Sequence, residues 1–372
     1  MGSDRLKPFE HWFKALFFKL FRRSLRRRRD GFTPLDGDKL RKVLFLRPEK
    51  IGDMVISLPV FDGLKNRYPD LRISILASPR NLALIDNDPR FDRIFLYRKN
   101  LWRDLRELIH IRRERFDCVV DMICDDSVTA LFLTQLAAPG RPRIGVGKVK
   151  FRDYYDFNYD HRRGNTGHII ENTLKLLDAF GINSSSVTGY AAPYLEKEAL
   201  DAAERFFRRV RDGAPNACVV GYNMSAGAPT RIWAEEKSVE LVRRILGSDQ
   251  ACTVILFVIP SDRERGRRLQ RQFPERVRLL PDGLDLPGAS ALISKLDMLI
   301  SPDTSLVHIA RSLRVPVVGL YSRYLKNFLL WRPYDQEVGA VISNNDDNIF
   351  DITVADVFET FLKVRNKTAP VR

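Results

Sequence analysis

The sequence is poor in the residues that build disulfide scaffolds and zinc sites. Its 372 residues include four cysteines and five histidines. No two cysteines form a C-x-x-C pair, and no spacing of cysteine and histidine suits zinc. Cys118, Cys218 and Cys252 lie in or beside apolar runs, which favours buried, reduced thiols in a reducing cytosol. We therefore expect neither a disulfide framework nor a zinc centre.

Several common nucleotide and metal motifs are also missing. The chain has no P-loop, no G-x-G-x-x-G and no G-x-S-x-G signature, so it lacks the usual marks of P-loop NTPases, dinucleotide-binding enzymes and α/β-hydrolases. The letters D-x-D occur at 36–38 and 86–88, in a linker and in a turn, where solvated acids are expected. Asp125 and Asp126 are adjacent but need not point the same way. The sequence predicts no metal site and no cofactor.

Long apolar runs are absent, and none approaches the ~18 residues of a membrane-spanning helix. The N-terminus is unlike a secretory signal, because its apolar stretch is broken by Lys14 and Lys19 and is followed by an arginine cluster at 22–29. We interpret residues 1–30 as a basic amphipathic helix whose aromatic and leucine side chains share one face. Such a helix can lie in an anionic bilayer interface. The alternative is a helix packed on the domain with a solvated arginine tail.

The charge balance points to anionic partners. The formal net charge is +15, and residues 1–30 hold ten basic residues against three acids. The rest of the chain is also basic, which favours nucleic acid, an acidic membrane surface or phosphorylated substrates. Nucleic acid is the weakest of these readings, because the N-terminal aromatic residues form one stripe and do not alternate with the basic residues.

The length of the chain favours two domains, and its pattern repeats an alternation of strand and helix. Ten short apolar segments predict strands: Val43–Leu46, Arg72–Ala77, Ile94–Tyr97, Cys118–Ile123, Ile144–Val146, Cys218–Tyr222, Thr253–Ile259, Val277–Leu280, Met298–Ile300 and Val317–Leu320. Helical segments such as Gly52–Tyr68 separate them, which predicts parallel sheets with helices on both faces. We expect an α/β protein with two Rossmann-like domains facing a cleft. The N-terminal domain would span 40–190, the C-terminal domain 197–345, and a last helix 350–372.

A first candidate site is the loop LRPEKIGD, residues 46–53, between the first strand and its helix. Ligands of open parallel sheets gather at the carboxyl ends of the strands, where this loop lies. Gly52 permits a tight turn and places Asp53 at the helix start. The Asp53 carboxylate can simply cap the helix, or it can act as a general base that takes a proton from a sugar hydroxyl.

A second candidate site is the segment ISPDTSLVH, residues 300–308, where a strand ends and a helix begins. The free N–H groups and positive dipole end of that helix suit a diphosphate, and Thr304 and Ser305 can add hydroxyl donors. Asp303 is badly placed against phosphate but well placed to accept hydrogen bonds from a sugar. His308 has two open interpretations, a ligand contact or a packed helix histidine.

A supporting element is NMSAGAPTRIW, residues 223–233, directly after a predicted strand. Its small residues, Ser225 among them, allow close approach of a ligand to the backbone. Arg231 can neutralise a diphosphate as it becomes a leaving group.

Taken together, these segments resemble the heptosyltransferases of lipopolysaccharide core synthesis, which are family 9 glycosyltransferases of the GT-B fold. The resemblance runs from about Val43 to Ser322. The opening VLFLRPEKIGDMVISLPVFDGLKNRYPDLRISILAS is similar to the family's strand, Gly-Asp turn and helix. DTSLVHIARSLRVPVVGLYS is similar to its donor-site helix, strand and exit loop. The chain departs from the family at Ser305, where a glycine is usual, and at Arg231, where a lysine is usual.

The resemblance implies an inverting transfer from ADP-heptose to a hydroxyl of the lipopolysaccharide inner core, without a metal. On the matching positions, Asp53 would be the catalytic base and Arg231 would offset charge on the diphosphate. Asp303 would hold heptose hydroxyls, and the amides of Thr304 and Ser305 would grip the phosphates. Asp262 matches an acidic position that binds the nucleoside ribose, with Glu264 as its rival.

The acceptor side is marked by basic residues in loops of the N-terminal half, and an anionic glycolipid would explain several of them at once. They are Lys50, Arg80, Arg141, Arg143 and Arg163. The enzyme would then work in the cytoplasm, held peripherally on the inner face of the cytoplasmic membrane by its N-terminal helix. Two alternatives stay open: a GT-B enzyme for another nucleotide sugar or acceptor, and a nonenzymatic nucleotide-binding protein at the membrane.

Overall fold

The computed structural model describes residues 26, 32–160, 167–211, 217–336 and 338–368. Apart from Arg26, the predicted N-terminal helix at 1–30 lies outside these residues. The chain divides into two compact units, Met1–Gly189 and Tyr190–Arg372. Each unit is an α/β domain with its own parallel sheet.

Unit 1 contains a six-stranded sheet. Its strands are β1 Lys42–Leu46, β2 Arg72–Ala77, β3 Arg93–Leu96, β4 Cys118–Asp121, β5 Arg143–Val146 and β6 Phe157–Tyr159. Its helices are α1 Ile51–Val55, α2 Leu58–Arg67, α3 Leu82–Ile85, α4 Leu101–Glu114, α5 Val128–Ala137 and α6 Ile169–Leu174, the last continued by a 3-10 helix at Lys175–Phe180. The strands lie in the order β3-β2-β1-β4-β5-β6.

Unit 2 contains a second six-stranded sheet. Its strands are β7 Val219–Asn223, β8 Thr253–Phe257, β9 Val277–Leu279, β10 Met298–Pro302, β11 Val317–Tyr321 and β12 Ala340–Ile342. Its helices are α7 Lys197–Val210, α8 Glu235–Ser248, α9 Arg263–Gln272, α10 Leu286–Ile293, α11 Ser305–Ser312, α12 Leu325–Trp331 and α13 Val354–Thr368. The strands lie in the order β12-β11-β10-β7-β8-β9.

Both sheets share one topology, the Rossmann order 3-2-1-4-5-6 counted within each unit. All ten strand pairs are parallel. The strand order reverses between β1 and β4 in unit 1 and between β7 and β10 in unit 2. Ligands of such sheets bind outside the carboxyl ends of the strands at this reversal. The predicted fold class of two Rossmann-like α/β domains is confirmed; that they face one cleft stays a prediction.

The strand residues explain why such segments lie inside each sheet, between two other strands. Strands covered by helices on both faces need continuous apolar runs. In β1, residues Val43–Leu46 are fully buried, and in β8, residues Val254–Leu256 are as well.

The predicted helix Gly52–Tyr68 is two helices in the structure. Helix α1 ends at Val55, and α2 begins at Leu58 with Pro59 in its first turn. Proline has no N–H to continue the α1 ladder. Between the two helices, the Ser57 hydroxyl donates to the Asp53 carbonyl at 2.8 Å. The break therefore keeps α1 to one short turn that carries Asp53.

None of the helices in the described ranges combines the length and apolar character that crossing a bilayer requires.

Candidate active site

Asp53 lies in the first turn of α1, directly beyond the carboxyl end of β1 and at the reversal of strand order. Its Oδ2 accepts a hydrogen bond of 3.0 Å from the backbone N–H of Lys50, the residue before the helix. The side chain of Asp53 is 14% exposed. Asp53 therefore does cap its helix, and the cap leaves Oδ1 outside that hydrogen bond.

Beneath this carboxylate lies a buried arginine. Arg47, 1% exposed, follows β1 and turns back under the loop. Its Nε donates to the Asp53 carbonyl at 2.9 Å, and its Nη1 donates to the Glu49 carboxylate at 2.7 Å and to the Met122 carbonyl after β4. Its Nη2 lies 3.9 Å from Oδ1 of Asp53. Burial disfavours the cation, yet the carboxylates of Glu49 and Asp53 raise the pKa of Arg47 overall.

Glu49 is a second carboxyl group held by the same guanidinium. The pKa of Glu49 is raised to about 7: burial raises it most, Asp53 and Asp121 add to the rise, and Arg47 opposes it. A carboxyl group with a pKa near neutrality can exchange a proton at working pH. The loop therefore offers two acids around one buried cation.

A buried ion pair fixes the loop after β4, which supplies the Met122 carbonyl that accepts from Arg47. Lys148 and Asp121 are both fully buried, and the Lys148 Nζ lies 2.8 Å from the Asp121 carboxylate. Tyr155 donates to the same carboxylate at 2.5 Å. Lys148 also donates to the carbonyls of Ile123 and Asp125, at 2.5 and 3.0 Å. These bonds hold the chain after β4 in place.

No group of three or more His, Cys, Asp or Glu side chains in the described part of the chain is arranged to hold a metal ion. Asp126 shows where one of these acids is used instead. Its carboxylate accepts from the backbone N–H groups of residues 149, 150 and 151, at 3.1, 2.9 and 3.1 Å.

The predicted acceptor residues divide between the carboxyl ends and the amino ends of the strands in the unit 1 sheet. Lys50 adjoins Asp53, and Arg80 is an exposed residue just past the carboxyl end of β2. Arg141 and Arg143 lie at the start of β5, and Arg143 is 1% exposed. The structure thus brings Lys50 and Arg80 to the Asp53 edge and places Arg141 and Arg143 towards the other. Arg163 lies outside the described residues.

In unit 2, the corresponding reversal point is built on Asn223, the last residue of β7. Its side-chain amide donates to the hydroxyls of Ser301 at 3.0 Å and Thr304 at 3.2 Å. The Ser301 and Thr304 hydroxyls are 3.1 Å apart. This cluster ties the ends of β7 and β10 to the start of α11.

Helix α11 begins at Ser305 after Thr304, which has extended backbone angles and makes no side-chain cap on the helix. The Thr304 hydroxyl is instead engaged with Asn223 and Ser301. A helix start without a side-chain cap suits an anionic ligand. His308, one turn on, is 6% exposed and packs edge-on against Trp331 with ring centroids 5.6 Å apart. That position fits the packed-histidine interpretation.

Arg231 and Asp303 form an ion pair beside this helix start. Nη1 of Arg231 lies 3.1 Å from the Asp303 carboxylate and donates to the Asp303 carbonyl at 2.9 Å. The Arg231 side chain is 43% exposed, whereas that of Asp303 is 13% exposed. Burial and the Asp303 carboxylate raise the pKa of nearby Tyr321 well above its usual range. The pair leaves much of the guanidinium accessible to an anion.

Ser225 joins the loop after β7 to the loop after β8. Its hydroxyl donates to the Asp262 carboxylate at 2.5 Å and accepts from the Ile259 N–H at 3.1 Å. The rival acid Glu264 is exposed and instead meets Arg267 and Arg271, at 3.4 and 3.5 Å. The structure therefore brings Asp262, and not Glu264, to Ser225.

Three polar residues of the site escaped the sequence reasoning: Arg47, Glu49 and Asn223. Arg47 and Asn223 each end or follow a strand at a reversal point, and that position is the signal that could have marked them. Glu49 carried no such signal, because its raised pKa arises mainly from burial, which the sequence does not show.

The sequence of the chain matches a known protein family. The family model for glycosyltransferase family 9 (heptosyltransferase) matches residues 103–354, more than half of the chain. The chain is similar to lipopolysaccharide core heptosyltransferase OpsX of Haemophilus influenzae, with 21% identity over 326 residues that cover 86% of each chain.

Solved structures share the fold. The glycosyl transferase family 9 protein of Veillonella parvula superposes with a TM-score of 0.73 at 16% identity, covering 91% of this chain and all of the other. The Escherichia coli heptosyltransferase WaaC with ADP has a TM-score of 0.67 at 18% identity, covering 88% of this chain and 99% of the other. Both likenesses concern the fold, with two Rossmann-like domains within one chain.

Proposed function

Because this chain belongs to glycosyltransferase family 9, the heptosyltransferases, we propose that it transfers heptose from ADP-heptose to a hydroxyl of lipopolysaccharide inner core, with inversion and without a metal. Its relative OpsX is named a lipopolysaccharide core heptosyltransferase, and the WaaC structure is described with ADP. The observation that carries the proposal is Asp53, a carboxylate at the reversal point of unit 1, oriented by Lys50 and backed by the buried Arg47.

The donor half of the reaction belongs to unit 2. The diphosphate would lie at the start of α11, where the backbone N–H groups and helix dipole favour negative charge. Arg231 supplies a fixed positive charge there, half exposed and aligned by Asp303. Asp303 would accept hydrogen bonds from the heptose hydroxyls, and Asp262, held by Ser225, from the ribose.

The chemical step moves one proton and one glycosidic bond. The Asp53 carboxylate takes the proton from the acceptor hydroxyl. An electron pair of the acceptor oxygen then attacks the anomeric carbon of heptose. The bond from that carbon to the diphosphate oxygen breaks, and ADP leaves with the bonding electrons. Attack opposite to the leaving group inverts the anomeric configuration. Arg231 and the α11 amides stabilise the charge that develops on the diphosphate.

Lys50 and Arg80 are the two acceptor residues that lie on the Asp53 edge of the sheet, and they would meet phosphates or acidic sugars of the core. Such an acceptor is a membrane glycolipid. We accordingly place the enzyme in the cytoplasm, peripheral on the inner face of the cytoplasmic membrane. The basic segment 1–30 would contribute attachment through anionic lipids.

The proposal is tested by thermal shift against a panel of nucleotide sugars. ADP-heptose is expected to raise the melting temperature more than UDP- or GDP-sugars do, since a ligand that binds only the folded state stabilises it. A shift with a UDP- or GDP-sugar and none with ADP-heptose would replace the heptose donor by another sugar. Donor binding without any transfer would favour the nonenzymatic alternative.

A further inference from the structure

Helix α4, Leu101–Glu114, carries a row of exposed apolar side chains. Leu101 and Trp102 are 78% and 77% exposed, and Leu105 and Ile109 are each 46% exposed. Residues 101, 105 and 109 follow at intervals of four, so they form one line along the helix, with Trp102 beside it. Four of the six strongly exposed large apolar side chains in the described part of unit 1 therefore lie on this one helix.

The side of α4 next to this row attaches the helix to the domain. Ile111 is buried, and Leu108 packs against the core of unit 1. The apolar row is thus additional to the face that holds the helix in place. Exposed contiguous apolar surface of this kind marks a contact with a partner or a membrane.

The charges of α4 are sorted between its two sides. All three of its acids turn towards the domain. Asp104 accepts from the N–H groups of residues 98 and 100, Glu107 accepts from that of residue 96, and Glu114 pairs with Lys42 at 2.7 Å and Arg93 at 2.6 Å. Their negative charge is therefore used inside the fold.

The outward side of α4 keeps its positive charge. Its exposed arginines, which make no ion pair with any residue that the structure describes, are Arg103, Arg106, Arg112 and Arg113. Arg106 and Arg113 border the apolar row on the Trp102 side, and Arg112 continues it towards the end of the helix. The result is an exposed surface of tryptophan, leucine and isoleucine with arginine beside it and no free acid.

We propose that this α4 surface lies on an anionic lipid bilayer, with Trp102 and its apolar neighbours in the headgroup–acyl boundary and the arginines on lipid phosphates. An aromatic and aliphatic row bordered by arginine is the composition of a helix that rests in a membrane interface. The charges argue against a second copy of the chain, or segment 1–30, as the partner of this surface. A second copy would set one arginine-bordered surface against another, and segment 1–30 carries ten basic residues against three acids.

The direct test is fluorescence quenching of the full chain by vesicles of phosphatidylglycerol and phosphatidylcholine with brominated acyl chains. Of the four tryptophans, Trp233 is 3% exposed, and Trp12 belongs to segment 1–30. Because segment 1–30 is itself proposed to bind anionic lipid, Trp102 is tested in the Trp12→Phe background. Quenching should persist in Trp12→Phe and disappear in Trp12→Phe/Trp102→Phe. Bound protein whose quenching is the same in the double variant as in Trp12→Phe would overturn the proposal, as would no binding to these vesicles.

A second measurement compares vesicle affinity among surface variants. The double variant Leu105→Ser/Ile109→Ser should bind at least tenfold more weakly, whereas Phe350→Ser, a matched control that is 54% exposed in unit 2, should bind normally. Arg106→Gln/Arg113→Gln should weaken binding at low salt and match the wild type at high salt, where screening removes the lipid charge. A changed sedimentation coefficient with unchanged vesicle affinity would make the surface an interface between copies instead. No donor or acceptor is present, so failure here leaves the proposed transfer untouched.

Discussion

The buried guanidinium of Arg47 holds Asp53 from below: its Nε donates to the Asp53 carbonyl at 2.9 Å, and its Nη2 stands 3.9 Å from Oδ1 of the same residue. The cation is thus bonded to the backbone of the proposed base and lies close to its carboxylate without a full hydrogen bond. The contact therefore fixes where the proposed base stands.

Replacing this cation tests that relationship. Arg47→Met removes the partner of Glu49 and leaves the Met122 carbonyl without its donor. We expect the free energy of unfolding to fall by about 3–5 kcal/mol, the usual cost of breaking a buried ion pair. Turnover per folded molecule should fall more than tenfold, as measured at a temperature where the variant is folded.

A matched control is Arg90→Met in the same unit. Arg90 pairs with Asp88 at 2.6 Å and Asp62 at 2.9 Å, away from the Asp53 loop. Its loss should also destabilise the protein but spare turnover of the folded fraction. Equal turnover in the two folded variants would remove Arg47 from any positioning role.

Glu49 makes the stability depend on pH in a direction that can be stated. Burial raises the pKa of Glu49 from 4.5 to about 7, so between these values the folded protein binds more protons than the unfolded chain. Stability contributed by this group is therefore lost as the pH rises through that window. We therefore compare the free energies of unfolding of Glu49→Gln and the wild type. The value for Glu49→Gln relative to that for the wild type should rise by on the order of 2 kcal/mol from pH 5 to pH 8.

Chemical denaturation of both proteins across this pH range measures the effect. The difference between variant and wild type should increase with pH and level off above pH 8. A difference that is flat, or that shrinks as the pH rises, would show that folding does not raise the pKa of Glu49.

Arg231 is expected to act on the diphosphate. Arg231→Ala should weaken binding of ADP-heptose by about 10- to 100-fold, the value of a hydrogen bond to a charged group, and Arg231→Lys should restore part of it. Isothermal titration measures both. Arg243→Ala is the matched control, because Arg243 is 57% exposed and pairs with Glu240. Equal donor affinity in Arg231→Ala and Arg243→Ala would contradict the assignment.

Ser225 and Asp303 are expected to act on different parts of the donor, Ser225 on the nucleotide and Asp303 on the sugar. Ser225→Ala frees Asp262 from a 2.5 Å hydrogen bond and should weaken ADP and ADP-heptose alike, by about 3- to 10-fold. Asp303→Asn should weaken ADP-heptose and leave ADP unchanged. Titrations with the two ligands check this, and the reverse pattern would exchange the two roles.

The central strands and the fold class followed from the sequence, because buried parallel strands read as apolar runs. The predicted set omitted β6 and β12, edge strands of three residues each. Such segments are too short for periodicity to mark, and they form by pairing with a neighbour already in place. The break between α1 and α2 was also missed, although Pro59 was its signal.

The candidate site was predictable where position alone mattered. Asp53 and Asp303 each come after the carboxyl end of a strand. The topology then places both residues at the reversal of strand order in their own sheets. The position of Arg47 after a strand could have marked it, but its burial was not predictable, because an arginine after a strand is ordinarily solvated. Its burial depends on the Met122 carbonyl, 75 residues away in the chain.

The measurement that tests the account most directly is transfer itself, followed by mass spectrometry on lipopolysaccharide cores truncated at successive sugars. With ADP-heptose, the wild type should add one heptose to one of these acceptors. Asp53→Asn should form product about a thousandfold more slowly, with its donor affinity within about twofold of the wild type. Undiminished transfer by Asp53→Asn, or transfer of a different sugar from another nucleotide in place of heptose, would contradict the account.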